Sequence, residues 1–200
     1  MNNVFVSDHP LVQHKLTMLR DAETGAKAFR ELVAEITVLL GYEATKTITL
    51  REIEITTPVA TARSKSVRGS KLALVPVLRA GLQMVEGLQN LVPAAKIGHI
   101  GVYRDEQTGQ PVAYYCKMPE DISQRDVFVL DPLLATGHST SYAVNRVKQY
   151  NPRSIRLICL VASPEGLALF TKAHPEVEVY LAALDAGLTD TGMIVPGVGD

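Results

Sequence analysis

The chain has 200 residues, 46% of them hydrophobic, enough for one sizeable core, so a single domain over 1–200 is the expectation. Its 20 basic and 21 acidic side chains give a net charge of −1 with no long run of either sign, which excludes a nucleic-acid stripe and a charged disordered tail. No basic segment followed by an apolar stretch opens the chain and no apolar run reaches membrane-span length, so neither a leader nor a membrane partner is expected. Cys116 and Cys159 lack zinc-site spacing and read as thiols of a cytoplasmic protein, the first in a polar loop and the second in an apolar run.

A short helix is expected after Pro10. From Thr24 to Gly41, residues Phe29, Leu32, Val33, Ile36, Leu39 and Leu40 recur at three- and four-residue steps, marking a helix that Gly41 can terminate. In "KTITLREIEITT" the apolar positions change phase between Leu50 and Ile53, as in a β-hairpin or bulged ribbon, and "TARSKSVRG" reads as a polar connector. Beyond it, apolar strands alternate with helices: "KLALVPVL", "LQMVEGLQNLV", "KIGHIGVY", "DVFVLD", the helix after Ser139, "SIRLICLVA", "EGLALFTKAH" and "VEVYLAAL". Strands that are apolar throughout belong to a parallel sheet covered on both faces, and such open α/β sheets bind ligands at the carboxyl ends of their strands.

Those strand ends carry Arg79, Arg104, Asp131 and Asp185. After Asp131 comes "PLLATGHST", where the backbone amides from Ala135 to Thr140 can point at one phosphate and the Thr136, Ser139 and Thr140 hydroxyls can add donors. The loop has neither a Walker pattern nor a dinucleotide fingerprint, and the same residues would also make an ordinary capped strand–helix turn. Asp131 suits sugar hydroxyls beside a phosphate, or a plain turn before Pro132. Arg79 and Arg104 offer guanidinium forks for a diphosphate, or are surface arginines. His138 stands where a cradle favours a small residue. His9, His14, His99 and His174 show no metal-ligand spacing.

The segments "PVLRAGL", "GVYRDEQTGQPVAYYCKMP", "DPLLATGHST", "LVASPEGL" and "GMIVPGVGD", with the N-terminal "HPLVQHKLTMLRD" and "FRELVAEI", resemble the uracil phosphoribosyltransferase family over essentially the whole chain. Asp-Pro in place of the paired acids of most type I phosphoribosyltransferases, joined to a Pro-Gly-Val-Gly-Asp tail, marks the uracil branch. The resemblance implies a Rossmann-like type I phosphoribosyltransferase fold: a mainly parallel sheet flanked by helices, an N-terminal helical segment, a β-hairpin flap and a C-terminal base-binding hood. It implies transfer from 5-phosphoribosyl 1-diphosphate (PRPP) to uracil, making UMP and diphosphate in pyrimidine salvage, with Mg2+ bound mainly through the diphosphate and no dedicated protein metal site.

By the same resemblance, Asp131, Pro132, Leu133, Leu134, Ala135, Thr136, Gly137, His138 and Ser139 hold the ribose and its 5-phosphate. Arg79 contacts the diphosphate, as does Arg104 at the base of a flap running to about Pro119. Ile194, Gly199 and Asp200 read uracil, and Asp200 also contacts PRPP; Arg79, Arg104, Asp131 and Asp200 are the residues expected to carry catalysis. Relatives form dimers or larger assemblies and some respond to GTP, which the sequence leaves open here. Met193 stands where the family pattern has tyrosine, and relatives continue past Asp200 with Ala-Gly-Asp; these two departures motivate the alternative of a weakly active homologue that binds nucleotide as a sensor. The His138 side chain is expected to project outward.

Overall fold

The computed structural model describes residues 3–67, 71–105 and 111–199, with Arg104 described by its backbone alone. Helix α1 (Pro10–Arg20) starts at the proline and is capped by the His9 ring, which accepts from the Leu11 amide. Helix α2 (Ala26–Ala44) buries Leu32, Val33, Ile36 and Leu40 as the periodicity requires. It runs past Gly41, which is no terminator. A Cβ there would collide with Leu88 of α3 (Leu82–Leu91), and one at Gly87 would collide with the Ala34 carbonyl, so the two glycines let α2 and α3 approach closely.

Leu50–Thr56 forms one strand (β2), and its partner is β3 (Thr61–Val67), the segment read above as a connector. They pair antiparallel from Leu50 opposite Val67 to Thr56 opposite Thr61. Alternating polar and small residues in β3 hid the strand, because neither face of this ribbon is packed on the core and hydrophobic patterning was therefore not required.

The main sheet contains β1 (Val4–Val6), β4 (Leu72–Leu78), β5 (Lys96–Ile97), β6 (His99–Arg104), β7 (Pro111–Lys117), β8 (Asp126–Leu130), β9 (Leu133–Leu134), β10 (Ser154–Ala162) and β11 (Glu178–Leu184). Its order is β1-β11-β10-β8-β4-β6-β7, with β5 beside β4 and β9 beside β10. All of these pairs are parallel except β6 with β7. Cys116 thus lies on a strand of the flap hairpin, where the sequence suggested a polar loop.

Alternation along the buried strands assigns each side chain to a face. Leu72, Leu74, Phe128, Leu130, Ile158 and Leu160 pack beneath α1, α2 and α3. Ala73, Val75, Val127, Val129, Leu157 and Cys159 pack against α4 (His138–Lys148) and α5 (Pro164–Ala173). At roughly 1.5–3 kcal/mol for each large side chain removed from water, these two layers hold the sheet and fix the heights of its strand ends. A two-stranded hood, β12 (Gly187–Leu188) and β13 (Ile194–Val195), stands over those ends.

Candidate active site

Strands β4 and β8 are neighbours, so the loops that follow them meet. Arg79 follows β4 through a cis peptide with Leu78, and its residue is exposed. Two residues on, a Cβ at Gly81 would run into the Leu130 carbonyl and lie 2.8 Å from the Val77 nitrogen. Only glycine permits the arginine loop to rest against the end of β8.

Asp131 follows that end directly. Thr140 donates its hydroxyl to Asp131 Oδ2 at 2.6 Å, and the Leu133 amide donates to the same carboxyl. Burial pushes the Asp131 carboxyl up to about 6, the two hydrogen bonds offsetting part of the cost of a charge out of water. Thr140 is buried and engaged here, so it is an orienter of Asp131 and not one of the phosphate donors expected from the sequence.

The loop between Asp131 and α4 turns at Gly137, whose φ of +81° is a left-handed conformation costly to any residue with a Cβ. Helix α4 then begins at His138 with its amides free to face an anion, and the macrodipole adds to that preference. The His138 residue is exposed at this first position. Behind the loop lies the start of α5. Ser163 donates its hydroxyl to the Ala135 carbonyl at 2.6 Å while accepting from the Gly166 amide at 2.9 Å. A Cβ on Gly137 would come 2.7 Å from the Gly166 carbonyl. The cradle is therefore backed by main chain.

The hood closes one side. A cavity of about 380 Å³ is bounded by Leu133 and Ala135 below and by Thr189, Met193, Ile194 and Gly199 above. A second, of about 460 Å³, brings Arg30 and Gln83 together with Ala80, Pro132 and Gly199. Met193 is exposed at the hood turn, its amide held by the Thr189 hydroxyl at 3.1 Å. Asp200 lies outside the described residues, as does the side chain of Arg104, whose backbone ends β6 at the base of the flap. Among the described residues no three His, Cys, Asp or Glu side chains gather as a metal cage.

The family model for uracil phosphoribosyltransferase matches residues 6–200. A uracil phosphoribosyltransferase from Alkaliphilus metalliredigens is 54% identical over 200 residues, covering the whole of this chain and 96% of that one, and one from Oceanobacillus iheyensis matches to the same extent. A solved protein from Aquifex aeolicus superposes with a TM-score of 0.93 at 36% identity, over 98% of this chain and 94% of that one. A hypoxanthine-guanine phosphoribosyltransferase from Bacillus anthracis shares the fold at a TM-score of 0.54 and 13% identity, over 80% of each chain.

The chain belongs to the uracil phosphoribosyltransferase family. It is accordingly an enzyme, a pentosyltransferase acting on uracil, with the type I phosphoribosyltransferase fold. Nothing in these matches favours the binding-only alternative. Of the residues expected at the site, Arg79 and the loop from Asp131 through Ser139 follow neighbouring strands at one sheet edge, and Ile194 and Gly199 of the hood line a cavity with Leu133 and Ala135 of that loop. Three contributors escaped the sequence. Ser163 and Gly166 brace the phosphate loop from within the recognised "SPEG" segment, where a helix-capping Ser-Pro pair was the available signal. Arg30 gave no signal beyond its place on α2.

The buried His174 is not part of this site, but a serine neighbour invites a nucleophile reading. Lys148 Nζ can only donate, and it donates to His174 Nδ1 at 2.6 Å, so the ring carries its proton on Nε2 and donates to Ser141 Oγ at 2.7 Å. The ring cannot take the serine proton in that state and serves as a pin between α4 and the end of α5.

Proposed function

We propose that this site forms UMP by moving the phosphoribosyl group of PRPP onto uracil, the chain acting as one domain over 1–200 in the cytoplasm. The observation that carries the reading is the meeting of Leu133 and Ala135, from the loop that follows Asp131, with the hood residues Ile194 and Gly199 around one cavity, within a chain matched by the family model almost end to end.

Cleaving the bond from the anomeric carbon to diphosphate builds positive charge on the sugar and negative charge on the leaving group. The amides at the start of α4 hold the 5-phosphate, with Pro132, Leu133 and Leu134 as the floor that leads to it. Asp131, pointed by Thr140, accepts from the ribose hydroxyls. Arg79 and Arg104 are the residues this reading assigns to the diphosphate, where guanidinium groups stabilise charge as it develops, and Asp200 is assigned a contact with PRPP. Ile194, Gly199 and Asp200 meet uracil with backbone groups that match the edge of the base. The hairpin of β6 and β7 is the flap of this reading, its role being to exclude water that would hydrolyse the cationic sugar.

Mg2+ would be carried on the PRPP diphosphate, where it would neutralise the leaving group. The exposed β2–β3 ribbon, with Val59 94% exposed, is an arm for a second copy of the chain, since a lone two-stranded ribbon is marginal in water. Light scattering should then give at least twice the 21.7 kDa of the chain, and a monomer would refute the arm's role.

The test of function is turnover of uracil, cytosine, thymine, hypoxanthine and orotate with PRPP and Mg2+, with and without GTP. UMP formation from uracil is expected. Its absence under all these conditions overturns the reading, and a rise in turnover with GTP would make that nucleotide an effector.

A further inference from the structure

Asp185 follows β11 at the same sheet edge as Arg79 and Asp131, the place where a catalytic acid would be sought. Its surroundings rule that use out. The side chain is 4% exposed, and Arg20 of α1 grips it with both arms of the guanidinium, Nη2 to Oδ1 at 2.5 Å and Nη1 to Oδ2 at 2.8 Å. The Gly197 amide donates to the same Oδ2 at 2.8 Å, and Arg20 Nη1 also donates to the Gly197 carbonyl at 2.6 Å. Both polar groups of one hood residue are thus held by one ion pair.

Gly197 is the turn between Ile194 and Gly199. Its φ is +66°, and a Cβ there would collide with the Ile194 carbonyl. The hood's other ties are fewer in polar contacts: β12 and β13 are two residues each, supplemented by the Ala186 amide on the Val195 carbonyl and the Thr189 amide on the Met193 carbonyl, while Ile194 and Val198 pack against the core without fixing the hood's polar groups. Arg20 by contrast is anchored well, since α1 buries Val12, Leu16 and Leu19. Asp185 is tied to the sheet by its amide on the Ala162 carbonyl at 2.9 Å.

We propose that Arg20 and Asp185 are positioning residues that lock the hood against the core and thereby set affinity and selectivity for the base. The inference rests on the reading that Ile194 and Gly199 meet uracil. A site that reads a base edge with backbone groups discriminates only as well as that backbone is held, and a bidentate charged pair is the stiffest link available to it. The phosphate loop, braced by Ser163 and Gly166, shares none of these contacts. Loosening the pair should therefore be felt at the base and not at the phosphate.

The experiment is steady-state kinetics on the full chain, each substrate varied with the other saturating, for wild type, Asp185→Asn and Arg20→Lys. Asp185→Asn keeps the shape and removes the charge; Arg20→Lys keeps the charge but cannot span both carboxylate oxygens and the Gly197 carbonyl. In each, KM for uracil should rise about tenfold or more and preference for uracil over cytosine should narrow, while KM for PRPP stays within about threefold. If Asp185→Asn does not fold, Arg20→Lys decides alone. Unchanged uracil kinetics, or KM values for uracil and PRPP that rise together, would overturn the proposal. So would a fall in kcat with a displaced pH profile and unaltered KM, which would make Asp185 a proton carrier. A wild type that makes no UMP overturns the functional reading and this inference with it, whereas an active wild type with indifferent variants overturns this inference alone.

Discussion

Acidification should cost the enzyme its grip on PRPP before it touches uracil. The Asp131 carboxyl, raised to about 6 by burial, must be ionised to accept from two ribose hydroxyls. The sign follows from that direction: in the ligand-free protein the protonated form is favoured, so its contribution to folding is complete below the ordinary carboxylate range and lost as pH rises through about 6. Substrate thus needs the form that the empty site disfavours. Between about pH 7.5 and about pH 5 the ionised fraction falls from nearly all to about one tenth, which predicts roughly tenfold weaker PRPP binding, or about 1.4 kcal/mol. The assay is calorimetric binding of PRPP and KM for PRPP across that range, for wild type and Asp131→Asn. The phosphates of PRPP titrate identically with both proteins, so the difference in slope isolates Asp131. A wild-type affinity that does not change, or an equal slope in Asp131→Asn, would refute the reasoning.

Three further outcomes are expected. Gly166→Ala places a methyl against the Ala135 carbonyl and 2.7 Å from that of Leu134, pushing the cradle outward; KM for PRPP should rise about tenfold or more, and an unaltered KM would show that the loop is not braced from behind. On the reading that the exposed His138 lends the cradle only its backbone, His138→Gly should keep KM for PRPP within about threefold, whereas a large loss tracking pH near neutrality would put the ring in the site. Burial, reinforced by nearby Lys148, holds the His174 ring below its ordinary value, so its contribution to stability is complete above about pH 6.5 and lost on acidification. Urea unfolding from about pH 7.5 to about pH 5.5 should show that loss and His174→Gln should reduce it; a wild type of constant stability would contradict it.

The central strands were legible because burial on both faces demands an apolar side chain at every position, as in Leu72–Val77 and Leu157–Ala162. The turn from β8 into α4 was legible because glycine and small hydroxyl residues precede the helix there. Where the sequence misled, contact geometry decided. Gly41 looked like a helix stop, yet its value lies in admitting Leu88, which only the neighbouring helix reveals. Thr140 looked like a phosphate ligand until its hydroxyl was found on Asp131. Strand β3 had no hydrophobic signature because nothing in its own chain covers it. Arg20 and Asp185 stand 165 positions apart, and no local pattern could join them.

The contact of Gly81 with the Leu130 carbonyl has a consequence for what the site can accept. The loop that carries Arg79 and the strand end that leads into Asp131 touch through main-chain atoms, with no side chain between them to lengthen or shorten. On the proposed reading, in which Arg79 serves the diphosphate and Asp131 the ribose, that contact makes the span from sugar to leaving group a gauge cut into the backbone. Substitutions around the pocket should then change which base is admitted from the hood without changing the length of donor accepted.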